Sequence, residues 1–475
     1  MNKTIKLLVS FACSLVLSAC GGSTYYYSLS VTVTGLFAGP LVLANNNQDT
    51  LTLTGSTSSG TFPVHPADGS NYSVTVYAQP PGQTCTVFNG SGKIRSANVS
   101  NISVSCNSTL ASATESVLYS FKFGAGQGGN YPEAALVQAG GGHFYGTTPY
   151  DGQFGSGTLF KLTPAGTYSV LHSFGDGDDG KYPTASLIQD AEGNFYGTTS
   201  AGGSISDCGV IFKLSSDGGN YSVIHVFSGG PGDGCQPLAA LMQADDGKLY
   251  GTTSRGGPPR TDFANGVGLI FKINTDGSSF SILHEFDQNG DGEMPGATLI
   301  QASDGYLYGT TSMGGDQDHG TIFKIATNGS EFSTVYKFSG GVDGDQPQSA
   351  LMQAADGSFY GTTMGGGSSG GGVVFKITTA GVESVLHSFA AGANPRAGLI
   401  QATDGNLYGA TYHGGANGSG SLFSITTSGA YSLLHSFGGA DGHEPQAGLI
   451  QAADGHLYGM TREGGDNWAG VVFRY

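Results

Sequence analysis

The sequence predicts an all-β protein, a seven-bladed β-propeller preceded by a small β-sandwich of immunoglobulin-like type. Three observations carry that expectation. Glycine supplies 82 of the 475 residues, well above the usual ~7%, while Asp, Glu, Lys and Arg make up only 11% against roughly 25% in ordinary soluble domains. That composition disfavours long solvated helices. The hydrophobic share is 38%, with 26 Phe and 23 Tyr, so the glycine does not signal disorder. A Tyr-Gly-Thr-Thr motif or a near variant begins at Tyr145, Tyr196, Tyr250, Tyr308, Tyr360, Tyr408 and Tyr458. Intervals of about 50 residues belong to arrays with several strands per unit.

Residues 1–19 read as a lipoprotein signal peptide, with Lys3 and Lys6 ahead of an apolar stretch from Leu7 to Leu17. About a dozen residues are too few to span a bilayer. Leu17-Ser18-Ala19-Cys20 resembles a bacterial lipobox, which implies cleavage before Cys20, lipidation of that cysteine, and residues 20–24 as a tether. Acyl chains then hold the protein on a membrane. Gly21, standing where Asp would favour the inner membrane, points to the outer one.

Residues 25–106 alternate as short strands do: Leu29, Val31 and Val33 are interleaved with Ser and Thr, and Tyr72 to Tyr77 repeats the pattern. This is the expected sandwich. Residues 107–115 make a polar linker. Once Cys13 and Cys20 are set aside, Cys85, Cys106, Cys208 and Cys235 remain, and an even number in an exported chain predicts two disulfides, Cys85 with Cys106 and Cys208 with Cys235.

Residues 116–475 form the array. One complete unit runs Leu299-Ile300-Gln301-Ala302, Leu307 to Thr311, Thr321 to Ile325 and Thr334 to Phe338, from the axis outward. The first segment of the array, Val117 to Phe121, is an outer strand, and the last, Val471 to Tyr475, is a third strand. A ring explains both ends, because the early outer strand can complete the last blade and leave no edge unpaired. Asp-Gly turns such as Asp304-Gly305 supply the positive φ of tight hairpins. The glycine of Tyr-Gly-Thr-Thr suggests close approach of a neighbouring backbone.

At these residues the array resembles the GloVer tandem repeat of bacterial surface proteins and, more distantly, NHL-type propellers. The resemblance implies a propeller-like fold and no particular reaction.

Chemistry is sparse. A net charge of −17 argues against nucleic acid as a partner. Gly124 to Gly129 and Gly366 to Gly370 match phosphate-loop and nucleophile-elbow letters without the following helix. Five outer strands carry a His (172, 225, 284, 387, 435) too far apart for one metal, so a packing role is expected. No cofactor is expected, with calcium as the exception to test: Asp287, Asn289, Asp291 and Glu293 are spaced like the start of an EF-hand loop, yet Thr298 stands where a bidentate Glu belongs.

Irregularity is concentrated in the loops from second to third strand and from outer to next inner strand, which share one face. Arg260, Asp262, Phe263, Asp316, His319, Tyr412, His413, Arg462, Asp466 and Trp468, the only tryptophan, lie there and are the candidate ligand-binding residues. The expected function is that of an exported, lipid-anchored, non-catalytic binding or scaffold protein whose loop face takes a carbohydrate or an extracellular protein. A hydrolase or lyase acting on polysaccharide and a structural cell-envelope protein are the alternatives.

Overall fold

The computed structural model describes residues 24–475 apart from 37–39, 55–58, 81–82, 109–113, 125, 127, 205, 216–217, 231, 259–265 and 288–289. The expected signal peptide, Cys20, Arg260, Asp262, Phe263 and Asn289 therefore lie outside the described residues. Among the described residues there is no α-helix, and no helix is long and apolar enough to cross a membrane.

The chain forms two compact units, one of residues up to 106 and one from 107 onward, the short segment 81–84 grouping with the second. The first unit has two four-stranded sheets. One orders Ser59–Thr61, Leu29–Thr34, Val99–Ser108 and Gln83–Phe88, the other Asp49–Leu53, Leu41–Asn45, Asn71–Ala78 and Ser91–Lys93. Alternation buries Leu29, Val31 and Val33 against Leu41, Leu43, Tyr72 and Val74 of the facing sheet, while Thr32 and Thr34 stay exposed. The Cys85–Cys106 disulfide joins neighbouring strands of one sheet rather than bridging the two.

The second unit holds seven four-stranded antiparallel sheets, numbered 1 to 7 here in chain order. In sheet 4 the strands are Ile300–Gln301, Leu307–Thr311, Thr321–Ile325 and Ser333–Lys337, each paired with the next. Sheet 7 combines Ile450–Gln451, Leu457–Thr461 and Val471–Arg474 with Ser116–Ser120, in the register Val471 to Ser120 and Phe473 to Val117. Every neighbouring pair of sheets shares a buried cluster, sheets 7 and 1 included. Tyr308 of sheet 4 meets Phe359 of sheet 5 at 4.4 Å, and Tyr458 of sheet 7 meets Phe144 of sheet 1 at the same distance.

Three repeated devices hold this array. The motif glycine makes room for side chains, not for a neighbouring backbone: a Cβ on Gly309 would stand 2.5 Å from Cζ of Phe323, its cross-strand partner, and 2.7 Å from Leu299. The expectation from sequence is corrected there, because the strand-three ring folds back over the position opposite it. On the inner strands, a glutamine amide links successive hairpins. Gln401 donates to Gly405 of its own turn at 3.0 Å and accepts from Ala355 N–H of the previous sheet at 3.0 Å; Gln138 of sheet 1 accepts from Ala453 of sheet 7 at 2.8 Å. On the outer strands, His172, His225, His284 and His435 hydrogen-bond Asp179, Asp233, Asp291 and Asp441 in the following turns, at 2.7–3.3 Å. The histidines therefore pack and bond locally, as expected. Cys208 and Cys235 form the second disulfide, stapling loops of sheets 2 and 3. Closing a loop of that size contributes about 3 kcal/mol in the chain-entropy account.

An aromatic at the start of the next outer strand stacks on His172, His225, His284 and His387, as Tyr221 does on His172 at 3.8 Å and Phe332 on His284 at 3.6 Å. Glu383 begins the outer strand of sheet 5, where Tyr431 begins that of sheet 6. It sits beside Asp343 and Tyr336; burial first, then the Asp343 carboxylate, push its pKa up to about 7. A carboxyl whose folded pKa lies above its unfolded value favours folding at low pH, and that contribution is lost as pH rises from about 4.5 to 7. The group is partly buried, and screening reduces the effect to roughly 1 kcal/mol. Glu383→Gln is expected to melt higher than the native chain at pH 8 and equally at pH 4.5. Equal melting at both pH values rejects the assignment.

Candidate functional site

Each sheet of the second unit is entered through a tripeptide centred on proline: Tyr131-Pro132-Glu133, Tyr182-Pro183-Thr184, Gln236-Pro237-Leu238, Met294-Pro295-Gly296, Gln346-Pro347-Gln348, Asn394-Pro395-Arg396 and Glu444-Pro445-Gln446. All seven residues before proline have φ between +49° and +59°. Non-glycine residues in that region cost of order 1–3 kcal/mol each and persist only where the surroundings over-determine them. Here the N–H is pinned in all seven, and the carbonyl as well in sheets 2 to 7. In sheet 6, Asn394 N–H donates to Gly371 carbonyl at 3.0 Å and its own carbonyl accepts from Tyr412 N–H at 3.2 Å. In sheet 7, Glu444 makes the same pair of bonds with Ser419 and Arg462, both at 3.0 Å.

This geometry aims the residue after each proline into a common cavity. It has a volume of about 460 Å³ and continues inward past the inner strands. Glu133, Thr184, Leu238, Gly296, Gln348, Arg396 and Gln446, one from each sheet, line it. The size is within the range of small-ligand pockets. Thr184 Oγ1 and Arg396 Nε are buried atoms with no hydrogen-bond partner among the described residues.

One side of the rim, spanning sheets 6, 7 and 1, is charged. The Arg396 guanidinium lies over the Tyr412 ring at 4.1 Å, and Tyr412 OH donates to Glu444 Oε2 at 2.5 Å. Burial and then that carboxylate push the Tyr412 phenol up to about 12. Arg462 reaches Glu133 at 3.2 Å, Glu444 at 3.3 Å and Glu463 at 2.9 Å. Burial holds the Glu133 carboxyl above its usual range, with Arg462 and Arg396 working against it.

A family model described as the Gloeobacter/Verrucomicrobia repeat matches residues 72–263 and 260–473. The chain belongs to this repeat family. No curated protein matches it in sequence. Among solved structures, it is similar to the extracellular domain of a hybrid two component system from B. thetaiotaomicron (12% identity, TM-score 0.49), covering 75% of this chain and 39% of that one. It is also similar to an oligogalacturonate lyase from Vibrio parahaemolyticus (13%, TM-score 0.47, 86% and 98% covered) and a gluconolactonase from Xanthomonas campestris (14%, TM-score 0.38, 62% and 85%).

In this Gloeobacter/Verrucomicrobia repeat protein, the residues singled out from sequence divide into groups. Tyr412 and Arg462 both follow the Tyr-Gly-Thr-Thr position and meet through Glu444. His413 lies against Tyr412, ring centroids 4.5 Å apart. Trp468 and Asp466 are exposed on the third-strand loop of sheet 7, the indole 57% so. Asp316 and His319 do not line the cavity: Asp316 pairs with Lys337 at 2.5 Å and His319 with Asp345 at 2.8 Å. In the calcium candidate, Asp291 accepts from His284 at 2.7 Å and from Asp287 N–H at 3.3 Å, the same turn bonding that recurs in other sheets. Glu293 is tied through its backbone to Met313.

Trp468 has φ +57°. The six equivalent loop positions are Gly155, Asp207, Gly266, Asp318, Gly370 and Gly418, all at positive φ. Glycine takes that conformation freely and Asp tolerates it, but a bulky residue there costs about 1–2 kcal/mol. The sole tryptophan is thus held in a disfavoured backbone state and left in water.

Proposed function

We propose that the second unit is a closed seven-bladed propeller and that it binds a carbohydrate through its axial cavity and the adjoining rim of sheets 6 and 7. The observation that carries this is the contrast within the repeats. The residues that build the sheets recur, whereas those facing the cavity are Glu, Thr, Leu, Gly, Gln, Arg and Gln. Hydroxyl-rich ligands suit such polar walls, and an exposed indole offers a flat face for a sugar ring. The protein is then an exported lipoprotein, anchored through Cys20 at the outer membrane, with the immunoglobulin-like unit as spacer. The two disulfides support an oxidising compartment.

A glycan array probed with the chain from Ser23 onward tests the reading; binding to a defined saccharide is expected, and binding only to protein partners from the same envelope overturns it. On any saccharide found, Trp468→Gly should weaken binding about tenfold. Its thermal stability should hold or rise, because glycine relieves the backbone strain. A destabilised variant with native affinity rejects the role of Trp468. Burial of Glu133 favours the alternative of a polysaccharide hydrolase or lyase. New reducing or unsaturated ends on incubation with the bound saccharide would establish it.

A further inference from the structure

The geometry points to a binding site for a divalent transition metal ion at the rim of sheet 7, formed by His443, Glu444 and Glu463. His443 and Glu463 are cross-strand partners, each backbone N–H donating to the other's carbonyl at 2.8 and 2.9 Å. Glu444 follows as the left-handed residue before Pro445. His443 Nδ1 faces Glu444 Oε1 at 3.7 Å and Glu463 Oε2 at 3.8 Å, and one donor atom from each of the three residues lies within 4.8 Å of the other two. These separations are too long for hydrogen bonds. Nδ1 is nonetheless buried and has no hydrogen-bond partner among the described residues. They suit donors sharing one ion: with metal–ligand bonds near 2.1 Å in tetrahedral geometry, donor atoms stand about 3.4 Å apart.

The opposite lobes of both carboxylates are already held. Glu444 Oε2 accepts from Tyr412 and Arg462, and Glu463 Oε1 accepts from Arg462. Outer hydrogen bonds of this kind fix the orientation of metal-binding carboxylates. Glu133, Glu444 and Glu463 outnumber Arg462 and Arg396, so the cluster keeps a negative charge for a cation to offset.

A second group, Glu115, His435 and Asp441, is equally close, but it differs in kind. There His435 Nε2 and Asp441 are joined by a 2.8 Å hydrogen bond, the same bond found at His172, His225 and His284. The equivalent cross-strand bridge in other sheets joins Asn130 to Tyr150, Lys181 to Ala201, Glu293 to Met313 and Asp345 to Gly365. Among the described residues, only sheet 7 puts two metal-binding side chains across it. The imidazole donor favours zinc, cobalt or nickel over calcium and magnesium, which prefer all-oxygen sites. Three protein ligands leave a fourth position for water or a ligand hydroxyl.

Trp468 provides the readout, its ring centroid 6.0 Å from that of His443. The full chain, purified in detergent without a polyhistidine tag, is titrated with Co²⁺ while the fluorescence of this sole tryptophan is followed, and with Zn²⁺ by calorimetry. Saturable quenching at one equivalent, reversed by Zn²⁺, is the expected result. His443→Ala and Glu463→Gln should each weaken Zn²⁺ binding at least thirtyfold while melting as the native chain does. If His443→Ala misfolds, Glu463→Gln alone decides. Absence of one-equivalent binding in the native chain, or native affinity in a folded variant, overturns the proposal. Neither result depends on whether the cavity takes a saccharide.

Discussion

Deleting residues 116–123 is expected to leave a protein that aggregates, or whose melting temperature falls by more than about 10 °C. The deletion takes away Ser116–Ser120, the outer strand of sheet 7, and with it Phe121, which is 1% exposed and packs with Leu136, Phe144 and Phe160 of sheet 1. Loss of such a buried ring costs about 3–5 kcal/mol by itself. Val471–Arg474 then becomes a bare edge with unpaired backbone groups. Thermal melts and size-exclusion chromatography of the truncated chain give the answer, and adding a synthetic peptide of residues 114–123 should restore part of the stability. A truncated chain that stays monomeric and melts like the native protein would show that the pairing with residues 471–474 holds nothing together.

The second large effect is expected at the motif glycine. In Gly309→Ala the new Cβ meets Phe323 Cζ at 2.5 Å and Leu299 Cδ2 at 2.7 Å, and both neighbours are fully buried. Overpacking of this order costs roughly 1–3 kcal/mol. The loss should approach the upper end, since the ring that must yield also packs against Phe286 at 5.3 Å and Phe332 at 5.8 Å. Adding Phe323→Leu, which shortens the offending side chain, should recover part of the loss in a double-mutant cycle. Additive losses would place the cause in the backbone rather than in the ring.

Much of this architecture was legible in the chain because the elements repeat. Apolar runs at fixed offsets from Tyr-Gly-Thr-Thr mark the strands, and the order of runs at the two ends of the array anticipates the pairing of residues 116–120 with 471–474. The cysteine pairs followed from their number and position, and both disulfides form. The role of the motif glycine was misread because a close approach does not say what approaches; only the register of Gly309 opposite Phe323 identifies a ring. Asp287 to Glu293 is spaced like a metal loop, and its Asp291 is also the turn aspartate that bonds the outer-strand histidine, as in other sheets. The cavity escaped notice for the opposite reason. Glu133 and Arg396 have no counterpart at the same position in neighbouring repeats, and a search for repetition passes over them. The signal was the constant proline beside them, in seven copies with unlike neighbours.

That arrangement of proline tripeptides separates what the protein can change from what it must keep. The left-handed residue before each proline takes its conformation from main-chain hydrogen bonds, while its side chain and that of the residue after proline differ from sheet to sheet. Outside the network that joins Glu133, Arg396 and Glu444 through Tyr412 and Arg462, these positions can therefore be exchanged with little reference to one another. A scaffold of this kind can drift from one ligand to another through single-residue steps, each tolerated by the fold before it is tested by the ligand.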